Sequence, residues 1–281
     1  MARRGYITLT DSGTLIDGVP DYMANSLKLW LDVMLTEPVR PGSSQRRAKA
    51  DRVRWLERKL KQSLGGNLSS ERMYTAITSH MNGSDELKLD IVNALLERYG
   101  DSDTDTANIL NIVLLESGSK WTARQGTDNI FNLEERVDGA MTDAYEDIVS
   151  GDTIAASFLR EAWSEAFGRD PSASQAYSAA VKAIEAGVWP KVLADNEKAT
   201  LGDIIRELER NISKWQTSIE EKTLNLGIGS VISQCKLVWQ GQTDRHGTSK
   251  PEAPSQSAAE QAVFMAINIC QLFERDLVSR E

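Results

Sequence analysis

One short stretch gathers the side chains best suited to proton transfer and anion binding: Trp239-Gln240-Gly241-Gln242-Thr243-Asp244-Arg245-His246-Gly247. Histidine gives or takes a proton near neutral pH. Its neighbour Arg245 offers a fixed cation with a planar fork of donors. Asp244 can orient an imidazole, and Gln240 is an uncharged donor and acceptor. The flanking glycines permit sharp backbone turns. The plainer alternative is a polar connection between two helices, with a capping aspartate and incidental charges. The residues alone leave both open and make His246, Arg245, Asp244 and Gln240 the candidates.

Other chemistry finds little footing. The second histidine, His80, comes late in a helical pattern, where an imidazole most often serves the helix C-terminus. Cys235 and Cys270 each sit in an apolar helical stripe and read as buried thiols of a reducing compartment. With two histidines and two distant thiols, no metal site is expected, and no cofactor. There is no phosphate loop, dinucleotide fingerprint or nucleophile elbow. The acidic pairs Glu134-Glu135 and Glu220-Glu221 read as adjacent helical residues on a solvated face.

A basic run covers 40–61, with nine Lys/Arg against Asp51 and Glu57, in a chain of formal net charge −9. Charge is therefore polarised along the sequence. Arg46, Arg47, Lys49, Arg52, Arg54 and Arg58 are candidates for a nucleic-acid backbone contact, which would be salt-sensitive and indifferent to sequence. The alternative is a solvated helix face. Trp55 inside the run either stacks on a base or belongs to the core.

The elements that must position these residues are helices. Apolar residues recur at three and four throughout, and the seven prolines cluster at breaks. Helices are expected from residue 21 to the break at 38–44, then over 48–64, 70–81, 85–99 and 106–116. The weakly patterned segment 117–127 is the expected boundary between an N-terminal helical domain, 1–120, and a C-terminal one, 128–281. The second half should hold helices over 131–149, 153–167, 172–188, 201–208, 229–239 and 257–277. Trp189-Pro190 should close or kink the third of these, and Thr200 should cap the fourth. Within 153–167, Ile154, Phe158, Ala162 and Trp163 are the expected buried positions. Nothing reads as a strand except 6–9. The fold class is all-α.

Composition agrees with an ordinary globular chain, 41% hydrophobic and 26% charged. The negative net charge argues against a surface that coats nucleic acid or membrane as a whole. No apolar run approaches the ~20 residues of a membrane span, and the polar N-terminus lacks a signal-peptide core. A cytoplasmic protein with no membrane partner is expected.

Several segments together carry a resemblance. They are Phe158 to Trp163, Ala176-Tyr177 through Ala186, 198–202, 238–247 and the Ala258-Ala259-Glu260-Gln261-Ala262-Val263 run. This set resembles a helical family of actinobacteria and their phages, and its Arg245-His246-Gly247 followed by a polar loop is similar to the abortive-infection C-terminal branch of the HEPN superfamily. The likeness covers about residues 151–281, with a weaker echo in Asp17 to Pro20, Leu27, Trp30 and Leu31.

The resemblance implies a four- or five-helix bundle that pairs into a homodimer. It further implies a metal-independent endoribonuclease of phage defence, with RNA as substrate. Such a site needs a base for the 2′-hydroxyl, an acid for the leaving 5′-oxygen and positive charge for the transition state. In the family an arginine precedes the histidine by four to six residues. Here Gln240 stands in that place, and Arg245 is the substitute cation. The same bundle without catalysis, serving as a dimerising interaction module, is the second expectation. A nucleic-acid-binding regulator using 40–61 is the third. The N-terminal half would sense a trigger, restrain the activity or dock RNA.

Overall fold

The computed structural model describes residues 15–100, 104–126, 130–137, 139–196, 198–219, 225–242 and 253–280. Among them the chain is mainly helical, with eleven α-helices and six short strands. It divides into two compact units, Met1–Arg136 and Val137–Glu281. The expected 6–9 strand lies outside the described residues.

In the first unit α1 (Asp21–Leu35) buries Met23, Leu27, Trp30, Leu31 and Met34, the three-and-four spacing of a helix with one dry face. Its C-terminal carbonyls need partners. Lys49 Nζ donates to Val33 at 3.0 Å and Arg52 to Met34 at 2.6 Å. Arg46 reaches the Thr36 carbonyl at 3.2 Å and that of Asp32 at 3.5 Å. A two-stranded ribbon, β1 (Thr36–Pro38) and β2 (Arg46–Ala48), turns the chain back so that these cations arrive there.

Helix α2 (Ala50–Leu60) stops at Lys61, whose φ of 53° is left-handed. This is short of the expected residue 64. Leu64 is buried all the same, because the Glu57 carboxylate accepts the N–H groups of Leu64 at 2.7 Å and Gly66 at 2.8 Å. Those bonds hold the Glu57 carboxyl below its ordinary pKa. Next come α3 (Ser70–Asn82), α4 (Asp85–Tyr99), whose first turn is capped by the Ser84 hydroxyl, and α5 (Thr104–Glu116).

The expected helix over 131–149 is corrected by the structure. Strand β4 (Phe131–Glu135) pairs antiparallel with β3 (Trp121–Gln125), and only α6 (Gly139–Val149) is helical. Burial alternates at Trp121 and Ala123 and again at Phe131 and Leu133, a period of two. The outward-facing groups of the Ala123–Leu133 pair are satisfied by side chains from two helices. Asn111 on α5 donates to the Ala123 carbonyl and accepts its N–H, both at 2.6 Å. Asn93 on α4 accepts the Leu133 N–H at 2.7 Å. The hairpin thus packs into the first unit, and the division falls after Arg136 instead of within 117–127.

Glu134, expected on a solvated face, is 2% exposed and pairs with Arg124 at 3.2 Å. Its neighbour Glu135 pairs with Lys120 at 2.8 Å. Glu220 and Glu221 lie outside the described residues.

The centre of the second unit is α7 (Ile154–Phe167), α8 (Ala173–Val192) and α11 (Gln256–Glu274). Alanines 176, 179, 180 and 183 on α8 are all buried, letting neighbouring backbones approach. Helix α8 runs on through Trp189-Pro190 to Val192, beyond the expected stop. Ile154, expected in the core, is 69% exposed.

Helix α6 packs on α7 and α11, while α9 (Leu201–Arg210) packs on α8 and on α10 (Leu226–Gly241). Thr200 and Asp203 form a reciprocal capping box on α9. The chain after α11 is extended, not helical: β6 (Val278–Arg280) pairs with β5 (Trp215–Thr217), against the expectation of helix to 277.

Candidate functional site

The polar motif begins on the last turn of α10, where Gln240 is exposed. Asp244, Arg245 and His246 lie outside the described residues. The structure therefore places the frame around the motif and one of its four candidate side chains.

That frame is built from the middle of the bundle. The buried Tyr177 of α8 donates its hydroxyl to the Val238 carbonyl at 2.9 Å, fixing the end of α10 from inside. Gly241 leaves room for the Tyr177 hydroxyl, which a methyl group added there would have to displace. On the other side Trp239 lies against Gly202 at the start of α9, where an added Cβ would come within 2.9 Å of the indole. Gln240 is thus exposed between two anchored neighbours.

At the far side of the connection, Ser255 caps α11 by accepting the Ala258 N–H at 3.2 Å. Gln256 donates to the Ala166 carbonyl at the end of α7. The sequence reading named neither Tyr177, Gly202 nor Gln256 as site-forming. Their signal is tertiary, with 61 residues separating Tyr177 from Val238 and 90 separating Gln256 from Ala166.

The carbonyl end of α10 carries the partial negative charge of the helix dipole. A cation or imidazolium placed there is favoured. The bundle beneath is dry: burial pushes the Cys235 thiol of α10 up to about 12, and raises that of Cys270 on α11 as well. Cys270 donates to the Ala183 carbonyl at 3.4 Å. Both thiols are structural, as their apolar setting in the sequence suggests.

The basic candidates behave differently from a free cationic stripe. Arg46, Lys49 and Arg52 terminate α1, as above. Burial, together with the charge of Arg52, holds the Lys49 ammonium below its ordinary pKa. Arg47 pairs with Glu37 at 2.9 Å, and Arg54 donates to the Gly66 carbonyl at 3.0 Å. Arg52 also lies 3.9 Å over the Tyr99 ring, which meets Trp55 edge-on. Trp55 is packed against the first unit's core. Arg58 is exposed on α2.

His80 is exposed in the last turn of α3, beside Ser84 and Glu86. Among the described residues no group of three or more His, Cys, Asp or Glu side chains is placed to hold a metal ion. No described helix is long and apolar enough to cross a membrane.

Compared with protein-family models, with curated proteins and with solved structures, the chain matches none.

Proposed function

We propose that the C-terminal unit is a metal-independent endoribonuclease of the HEPN kind, acting as a homodimer in phage defence, with the connection between α10 and α11 as its catalytic loop. The observation that carries this reading is the anchoring of that connection. Tyr177 fixes one end and Gln256 the other, so the motif residues are carried by a segment tied at both ends to the bundle.

RNA brings its own nucleophile. In the proposed step His246 takes the proton of the 2′-hydroxyl, the 2′-oxygen bonds to phosphorus, and the bond from phosphorus to the 5′-oxygen breaks. The leaving oxygen receives its proton from the imidazolium of the second copy, and the products are a 2′,3′-cyclic phosphate and a 5′-hydroxyl. Arg245 offsets the charge that builds on the phosphorane. Asp244 orients His246, and Gln240 donates its amide to a phosphate oxygen.

The test is cleavage of total cellular RNA by the full chain in EDTA, wild type beside His246→Ala and Arg245→Ala. The expected loss in the His246 variant is at least about 100-fold, with helical circular dichroism unchanged. Absence of cleavage by the wild type, or undiminished cleavage by His246→Ala, sinks the reading.

A second reading is the same bundle as a non-catalytic interaction module. The presence of Gln240 where the family has a cation favours it. Growth of cells expressing the protein separates the two, since a nuclease slows growth and its His246→Ala variant does not. The basic segment earns no separate reading, because Arg46, Lys49 and Arg52 serve the end of α1.

A further inference from the structure

At the opposite end of α8 from Tyr177 the second unit has a cavity of about 370 Å³. That is the size of a small-ligand site. Its wall is apolar, formed by Ile148, Ala155, Ala186, Gly187 and Trp189 with the Cys270 thiol. The small residues on α7 and α8 leave the room.

A second, more open cavity of about 540 Å³ shares Ile154, Ala186 and Trp189 with the first, and carries Lys182, Lys198 and Glu185. The two adjoin at these three residues as one groove would, with the mostly apolar lining on one side of Trp189 and Lys182, Lys198 and Glu185 on the other. Ile154 stands at their shared lip with 69% of its surface exposed.

The charges at the open end are unequal in what they offer. Lys182 and Lys198 are both exposed, and the Lys182 ammonium lies 5.6 Å over the Phe158 ring. Glu185 is turned to the start of α9, where it accepts the Leu201 N–H at 2.7 Å. Burial raises its pKa, while the Leu201 N–H holds one carboxylate oxygen away from the groove. At the other end Glu274 and Lys191 both line the apolar cavity, but the Lys191 ammonium is already tied to the Phe273 carbonyl and to Asp276. An anionic head is therefore favoured beyond Trp189 and disfavoured beside Glu274.

We propose that this groove binds an amphipathic carboxylate, an unbranched acyl chain lying in the apolar cavity with its head turned past Trp189 toward Lys182 and Lys198. The inference does not depend on the nuclease reading, since it concerns binding and involves no residue of the motif.

Its test is calorimetric titration of the full chain with n-alkanoates from hexanoate to dodecanoate, below micelle formation, beside n-alkanols of equal length. One saturable site is expected, with affinity rising about fourfold per added methylene while the chain fills the cavity. The alkanols should bind about tenfold more weakly. Ala186→Phe fills the cavity from its half-buried position and should abolish binding in a protein still folded by circular dichroism. Lys182→Glu combined with Lys198→Glu changes only exposed side chains. It should weaken alkanoates at least about tenfold and leave alkanols as they were. The proposal is overturned if no chain length saturates, if folded Ala186→Phe binds as well as wild type, or if alkanoate affinity ignores the double charge reversal.

Discussion

Tyr177 and Gly241 constrain one another, and this can be measured. The hydroxyl of Tyr177 occupies the space that a side chain at 241 would need. Tyr177→Phe removes one buried hydrogen bond and should cost about 1 kcal/mol. Gly241→Ala crowds a buried hydroxyl and should cost about 1–3 kcal/mol. The double variant should cost less than the sum, because removing the hydroxyl relieves the crowding. Denaturant unfolding of all four proteins closes the cycle, and strict additivity would refute the contact. Gln240 to His246 were legible as candidates because residue types in a short run speak for themselves. The tyrosine that anchors them was not, since nothing in its own neighbourhood points 61 residues ahead.

Helix ends in this protein are often closed by distant cations instead of by glycine. Arg46, Lys49 and Arg52 close α1, Arg160 donates to the Val149 carbonyl at the end of α6 at 2.7 Å, and Lys191 meets the Phe273 carbonyl of α11. Arg52→Ala should therefore lower stability by about 1–2 kcal/mol while leaving RNA retention in a filter assay at low salt unchanged. The reverse pattern would restore the basic run as a nucleic-acid contact. The asparagines beside the hairpin make a second case. Asn111→Ala removes three bonds to β3 and should cost about 2–3 kcal/mol; Asn111→Asp keeps the acceptor, loses the donor and should also destabilise.

Helix α4 was readable to the residue because Ser84 and Gly100 punctuate it locally. The hairpin was missed because the alternation of Phe131 and Leu133 is too short a signal beside the helical pattern that follows in 139–149. What makes 131–135 a strand is its partner β3 and an amide from α4. Helix α8 was underestimated for the converse reason. A proline at 190 argues for a stop, yet the buried Val188 and Val192 on either side continue the packed face.

At the scale of the molecule the two units should differ in their response to acid. Glu57 and Asp85 in the first unit are held below their ordinary pKa by backbone N–H groups, those of Gly66 and Leu64 for one and that of Val19 for the other. A depressed carboxyl contributes stability that is present above its ordinary value, 4.5 for Glu57 and 3.8 for Asp85, and lost as pH falls through the depressed one. In the second unit Asp203 is likewise depressed by Thr200, but burial raises Glu165 and Glu185. A raised carboxyl binds its proton more tightly when folded, so acidification through the raised value favours the folded state.

Below about pH 4, hydrogen exchange should show 15–100 losing protection before 139–280; the opposite order would contradict these assignments. The division into two units was legible in outline, as a weakly patterned stretch. Its position was not, because the hairpin takes its side from Asn93 and Asn111. Those two amides also cover the outer edges of the ribbon. A two-stranded ribbon whose outer groups are unmet is a template for further strands. Two asparagines, by occupying the backbone groups of Ala123 and Leu133, close the positions at which a further strand would pair.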